Sequence, residues 1–85
     1  MPRTNTSSSP GEMLQSEFMP RAGMFLKDVS LKSGIPIRAL RELIAESRPI
    51  TLIEAEGLHR CFPERSAEYW LRLQRVHDFN QGRTR

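Results

Sequence analysis

The stretch KSGIPIRALRELIAESRPIT, Lys32 to Thr51, decides the fold of this chain. Gly34 stands where a residue in the left-handed conformation commonly ends a helix, and Pro36 suits the first turn of the next one. The apolar residues that follow recur at helical spacing, and Arg48-Pro49 then breaks the pattern. The stretch therefore predicts a tight turn between two short helices, the second of which carries two arginines on one side.

The composition limits the chain to one small domain. It has 85 residues, of which 38% are hydrophobic and 27% charged, with a net charge of +3. A domain of this size buries only about 60% of its unfolded surface, so a homodimer interface would help to stabilise it. Cys61 is the single cysteine, and no apolar run is long enough to span a membrane. The first residues also lack the apolar stretch of a signal peptide. We therefore expect a reduced, cytoplasmic protein with no membrane partner.

Three segments of different composition follow one another along the chain. Residues 1–8 are polar and rich in serine and threonine, which predicts a disordered N-terminal tail. Residues 9–79 carry helical periodicity and are predicted to form the folded domain, with a helix-turn-helix at about 25–44 and a C-terminal helix at about 66–79. Residues 80–85 are predicted to be a flexible tail. The number of helical segments predicts an all-α fold of five short helices.

Capping signals place the outer helices. Ser9 and Thr51 are each followed three residues later by a glutamate, which is the capping-box pattern that starts a helix. These two residues therefore begin the first and fourth helices. Three further breaks or caps are expected: Pro20 with Gly23 breaks the first helix, Gly57 shortens or bends the fourth, and Ser66 caps the fifth.

The helix-turn-helix spacing indicates DNA binding, because such a motif places its second helix in the major groove. Arg38 and Arg41 are three residues apart and share a helix face, from which arginine can bond guanine edges or phosphates. Spacing alone leaves two interpretations open, a DNA-reading helix and a basic, solvated helix in a small bundle. For the first, the base-edge candidates are Ile37, Arg38, Ala39 and Arg41, and the phosphate candidates are Lys27, Lys32, Ser47 and Arg48.

No pattern of residues indicates catalysis or metal binding. His59 and Cys61 are two apart in a predicted helix and point in different directions, and nothing completes a set of four zinc ligands. No phosphate-binding glycine loop, nucleophile elbow or carboxylate pair occurs. We therefore expect no enzyme, no cofactor and no small-molecule substrate. The last helix is expected to supply core or dimer contacts from Tyr69, Trp70, Leu73, Val76 and His77.

Three motifs, PGEMLQSEF, SRPIT and YWLRLQRVHDF, occur in the order and at nearly the spacing found in HigA-type antitoxins, also called virulence-associated protein I. The chain resembles this family over roughly Ser9 to Phe79. The resemblance implies a five-helix domain of the Xre, lambda-repressor-like class, usually a homodimer, that binds operator DNA and represses its own operon. It also implies a protein partner, a HigB-type toxin that cleaves mRNA and is neutralised by the antitoxin.

The chain departs from the family near the expected DNA side. Phe25-Leu26 stands where a Ser-Gln pair is usual in the family. Before Arg48-Pro49 the family usually has Asn-Gly-Lys, whereas this chain has Ala45, Glu46 and Ser47, so we expect the negative charge of Glu46 to repel phosphate. Three outcomes stay open: Leu26 turns into the core with Val29, Phe25 and Leu26 are exposed for a protein partner, or DNA binding is lost. The alternatives to an antitoxin are accordingly a protein-interaction module with an inactive DNA face and a solitary regulator without a toxin.

Overall fold

Five helices and no strand make up the part of the chain described by the structure, a computed structural model covering residues 8–83 and the side chains of residues 8–80. The predicted all-α, five-helix fold is confirmed. Helix α1 comprises Pro10–Met13, a π-helical turn at Leu14–Phe18, and Met19–Ala22, and it is followed by α2 (Leu26–Ser33), α3 (Ile37–Ile44), α4 (Leu52–Cys61) and α5 (Ala67–Arg83).

The predicted tails lie largely outside the described residues, which leave out positions 1–7, 84 and 85. Ser8, which was included in the N-terminal tail, is buried. Helix α5 continues to Arg83, whereas the sequence places its end near Phe79. A hydrogen bond between Gln74 and Asp78, one turn apart at 3.0 Å, supports the last turns, and no proline interrupts them.

Capping residues begin the helices as predicted. The Ser9 hydroxyl accepts a hydrogen bond from the Glu12 N–H at 3.1 Å at the start of α1. The Thr51 hydroxyl and the Glu54 carboxylate exchange bonds with each other's backbone N–H, each at 3.1 Å, at the start of α4. The Ser66 hydroxyl accepts from the Tyr69 N–H at 3.1 Å before α5. Each of these bonds satisfies a backbone donor that the first turn of a helix would otherwise leave without a partner.

The predicted break at Pro20 was wrong. Proline has no N–H, so a regular helix would lose the bond to the carbonyl four residues earlier. The chain widens instead into the π-helical turn just before it, where the Met19 N–H bonds to the Leu14 carbonyl. The extra residue in that turn accommodates the proline inside the helix. The helix ends instead at Gly23, the other residue expected to break it, which has the left-handed φ of 66°.

One core connects all five helices around Trp70 of α5, which is fully buried. The rings of Phe18 and Phe62 lie beside it, with centroid separations of 4.8 Å and 6.4 Å. Val29 of α2 and Leu40 of α3 are also fully buried in this core. The Trp70 Nε1–H has no hydrogen-bond partner among the described residues. Trp70 is therefore a core residue of the single chain, held by packing of its large apolar surface.

Helix α4 is unbroken across Gly57, contrary to the expected shortening. The glycine faces α2 so closely that a Cβ there would lie 2.7 Å from the carbonyl oxygen of Ser33. Arg60, one turn later, donates a hydrogen bond to the same carbonyl at 2.9 Å. The loss in helix propensity at Gly57 is therefore offset by close packing of α4 against the end of α2.

Candidate nucleic-acid interface

The turn between α2 and α3 is fixed by two serines and a glycine. Gly34 ends α2 with a left-handed φ of 81°. The buried Ser33 hydroxyl accepts from the Ile35 N–H at 3.1 Å, and the Ser30 hydroxyl donates to the Ile35 carbonyl at 2.6 Å. The side chain of Ile35 is buried between the helices. Both the backbone and the side chain of Ile35 are thus held, and the angle between α2 and α3 is set.

Helix α3 has a buried side and an exposed, basic side. Leu40 and Leu43 are buried, whereas Arg38 and Arg41 are exposed and form no hydrogen bond or ion pair with any described residue. Ile37 and Ala39 are half-buried, and Ala39 packs against the core. The two arginines are therefore available to an external partner, while the two apolar base-edge candidates are only partly available.

The start of α2 presents one exposed aromatic ring. Phe25 precedes the helix and is 77% exposed, while Leu26 is half-buried and packs against the core with Val29. The Phe25 N–H donates to the Asp28 carboxylate at 2.8 Å. Leu26 therefore turns into the core with Val29, the first of the three outcomes left open by the sequence. Phe25 alone is exposed as the second outcome, contact with a protein partner, requires. The phosphate candidates on this helix, Lys27 and Lys32, are both exposed.

Arg48 lies inside a network of carboxylates. Its Nε donates to Glu42 of α3 at 2.8 Å, and its two terminal nitrogens donate to Glu54 of α4 at 3.0 Å and 2.6 Å. The hydrogen bonds that Arg48 donates to Glu54 and Glu42 raise the pKa of Arg48. Burial raises the pKa of Glu54, but the hydrogen bonds from Arg48 and Thr51 outweigh it and leave that pKa below its usual range. The sequence carried no signal for this network, because Glu42 and Glu54 each lie six residues from Arg48, which is not a spacing that brings side chains together on a helix.

Glu46 closes the C-terminal end of α3 in a strained conformation. Its φ is 60°, in the left-handed region that favours glycine or asparagine. The Glu46 N–H bonds to Leu43 and the Ser47 N–H to Glu42, which is the Schellman arrangement. The Glu46 carboxylate accepts from the Ser9 hydroxyl at 3.0 Å and lies 3.7 Å from Nε2 of His77. The carboxylate is therefore bonded to the start of α1 and lies near α5, a role within the fold beyond the expected repulsion of phosphate.

Ser47 follows directly and is exposed. Its hydroxyl donates to the carbonyl oxygen of Glu42 at 3.2 Å, so one of its hydrogen-bonding functions is already used within the chain. The three residues Glu46, Ser47 and Arg48 thus all bond to other parts of the domain. An open cleft of about 260 Å³ lies next to them, bordered by α1 and α5.

The last helix divides the predicted core or dimer residues between two environments. Tyr69 and Leu73 are half-buried and pack against the core, and the ring of Tyr69 meets Trp70 edge-on at 5.3 Å. The side chain of His77 is only 13% exposed. Val76, in contrast, is 38% exposed and Phe79 is 63% exposed. Val76 and Phe79 therefore form an apolar strip on the surface of α5, next to side chains that pack against the core.

Four further features concern metal ligands, membrane spans, His59 and Cys61. Among the described residues, no three side chains of the metal-ligating types come together, and no helix is long and apolar enough to cross a membrane. Nδ1 of His59 lies 2.7 Å from the carbonyl oxygen of Arg65, so this histidine has a structural contact. Cys61 is buried, and burial raises the pKa of its thiol.

Comparison with known proteins gives one relative in sequence and two in structure. The chain is 31% identical over 74 residues to virulence-associated protein A of Dichelobacter nodosus, covering 87% of this chain and 72% of the relative. Two solved structures from Pseudomonas aeruginosa share the fold with a TM-score of 0.79 and 24% identity, covering 89% of this chain and 82% of theirs. One shows a protein with its operator DNA of 28 base pairs, and the other shows antitoxin HigA with the higBA promoter. No protein-family model matches the chain.

Proposed function

This chain belongs to the HigA/VapI-type family of Xre helix-turn-helix proteins, and from that premise we propose that it is an antitoxin that binds operator DNA and represses its own operon. The observation that carries the proposal is the pair Arg38 and Arg41. Both are exposed on α3, neither has a partner among the described residues, and the turn before α3 is rigidly held. An arginine so placed can donate two hydrogen bonds to one guanine.

The proposed DNA footprint is centred on these two arginines. Ile37 contributes apolar contact with thymine methyl groups, and Ala39 less so because it packs against the core. Lys27, Lys32 and Ser47 neutralise or bond phosphates, which positions α3 without reading sequence. The Glu46 carboxylate accepts a hydrogen bond from the Ser9 hydroxyl and keeps the negative charge that opposes phosphate.

We further propose that the protein acts as a homodimer. Val76 and Phe79 leave an apolar strip exposed on α5, and a second copy would cover it. A domain of this size gains substantially from such an interface. The two α3 helices of a dimer would then address half-sites about one helical turn, roughly 34 Å, apart.

The protein partner in this proposal is a HigB-type toxin, an mRNA-cleaving enzyme that the antitoxin neutralises by binding. The protein itself would act by binding in the cytoplasm and catalyse no reaction. Support comes from the family, one of whose solved structures is named antitoxin HigA. The simplest check is the neighbouring reading frame, because a small basic protein encoded there would be the expected toxin, and its absence would favour a solitary regulator.

A mobility-shift assay with the DNA upstream of the gene tests the proposal. We expect a shift at moderate salt that an excess of unrelated DNA does not abolish. The rival is a protein-interaction module with an inactive DNA face, which the 77% exposure of Phe25 favours. Co-purification of the neighbouring protein with no shift of the DNA would favour that rival and contradict the repressor.

A further inference from the structure

We propose that Arg48 is a positioning residue, which fixes α3 for DNA reading through Glu42 and Glu54 and does not itself bind phosphate. The inference rests on the proposed function, since it concerns how Arg38 and Arg41 are held. It differs from the interpretation of Arg48 based on sequence alone, in which an arginine just after the recognition helix contacts the DNA backbone.

Every nitrogen of the Arg48 guanidinium has an acceptor within the chain. Nε bonds to Glu42 at 2.8 Å, one terminal nitrogen bonds to Glu54 at 2.6 Å, and the other bonds to Glu54 and to the Pro49 carbonyl, each at 3.0 Å. The two bonds to Glu54 form the paired, planar arrangement in which arginine binds a carboxylate most strongly. A phosphate would have to displace these bonds.

The net charge of the Arg48 network also opposes phosphate binding. Arg48 contributes one positive charge and its two partners contribute two negative charges, so the network as a whole is negative. A phosphate that approached it would be repelled by the carboxylates as much as it was attracted by the guanidinium. Lys27, Lys32, Arg38 and Arg41, in contrast, are exposed and have no carboxylate partner among the described residues.

Arg48 also helps to hold α3 in place. Helix α3 packs mainly on α1 and α2, and Arg48 supplies its polar connection to α4. The side chain of Glu54 is only 13% exposed, and it also bonds to the backbone N–H of Thr51 in the capping box that starts α4. Glu54 is therefore held rigidly. Through Arg48, it fixes Glu42, which lies one residue after Arg41 on the helix. The network therefore sets where the exposed side of α3 points.

Glu54→Gln separates positioning from phosphate binding, because the two roles predict changes of opposite sign. Glutamine at this position still completes the capping box, so α4 keeps its start. If Arg48 positions α3, loss of the carboxylate weakens binding to the upstream DNA by about tenfold, the scale of one base contact, and leaves random DNA nearly unchanged. If Arg48 binds phosphate, freeing it and removing a negative charge tightens binding to both DNAs. Glu56→Gln, an exposed glutamate on the same helix, controls for the change in charge.

Arg48→Lys and Arg48→Gln complete the test. Positioning predicts that both lose about tenfold on the upstream DNA and that the dependence of binding on salt stays as in the wild type. A phosphate contact predicts that lysine preserves affinity and that glutamine lowers the salt slope by about one. Binding is compared only for variants that keep the helical circular dichroism of the wild type, and Glu54→Gln decides the question if the Arg48 variants unfold.

Failure of the inference can be told from failure of the proposed function. A wild type that does not bind the upstream DNA contradicts both. A wild type that binds it, together with a Glu54→Gln variant that binds more tightly, contradicts only the positioning role.

Discussion

Gly11 of α1 lies directly against the backbone of Leu43 in α3, so that a Cβ on Gly11 would fall 2.0 Å from the Leu43 carbonyl oxygen. No side chain can share that space, and a backbone group cannot turn aside. The contact joins the N-terminal turn of the domain to the last turn of the proposed recognition helix. Glycine is therefore required at position 11 for α1 and α3 to pack this closely.

Gly11→Ala is therefore expected to lower the free energy of unfolding by about 2–3 kcal/mol, the scale of overpacking a dense core. Chemical denaturation followed by circular dichroism measures this. Gln15→Ala, an exposed position in the same helix, is the control and is expected to change stability little. A Gly11→Ala protein as stable as the wild type would show that α1 and α3 are farther apart than described.

Glu46 is expected to store backbone strain. Alanine at this position keeps the unfavourable positive φ, whereas glycine relieves it, and both lose the bond to Ser9 equally. Glu46→Gly should therefore be more stable than Glu46→Ala by about 1 kcal/mol, after allowance for the greater freedom of glycine in the unfolded chain. The difference is read from urea unfolding of the two variants, and an alanine variant that is the more stable would refute the left-handed conformation.

The stability of the domain is expected to fall in acid partly through Glu54. The pKa of Glu54 is lowered from 4.5 in the folded protein, so its carboxylate stabilises the fold above about pH 4.5 and this contribution is lost as the pH falls through the folded pKa. Glu54→Gln should flatten the acid side of a plot of unfolding free energy against pH. Glu56→Gln removes a glutamate of the same helix from an exposed position, and equal flattening by both variants would contradict a special role for Glu54.

Val76→Arg is expected to dissociate the proposed homodimer without unfolding the chain. The substitution places a charge on the exposed apolar strip of α5, and a charge there cannot be buried cheaply against a second copy. Light scattering after size-exclusion chromatography measures the mass. Leu31→Arg, at an apolar residue on α2 that is 79% exposed, is the matched control and should leave the mass unchanged. A dimer that survives Val76→Arg would place the interface elsewhere.

The parts of the fold that could be predicted from sequence are those set by neighbouring residues. The caps at Ser9, Thr51 and Ser66 each depend on a residue three positions away, and the turn at Gly34 depends on backbone freedom at one position. Pro20 was misjudged because a widened helical turn can absorb a proline, and no residue type signals such a turn.

Contacts between distant segments could not be predicted from local patterns. Gly57 lowers helix propensity by itself, and only the approach of Ser33 shows why it is there. Glu46 bonds to Ser9, which is 37 residues away. In the candidate site, the exposed face of α3 followed from its periodicity, whereas the partners of Arg48 required the path of the chain between α3 and α4. The periodicity of one helix is enough to predict its exposed face, but the hydrogen-bond partners of a side chain depend on how all the helices pack.

DNA reading by the exposed side of α3 can be measured with wild type, Arg38→Ala and Arg41→Ala. Each protein is titrated with the upstream DNA and with a shuffled DNA of equal length. Fluorescence anisotropy at one fixed salt concentration gives the ratio of the two dissociation constants. We predict that each alanine variant loses at least about fivefold more affinity for the upstream DNA than for the shuffled DNA, as loss of a base contact requires. Equal losses on both DNAs would contradict base reading by α3.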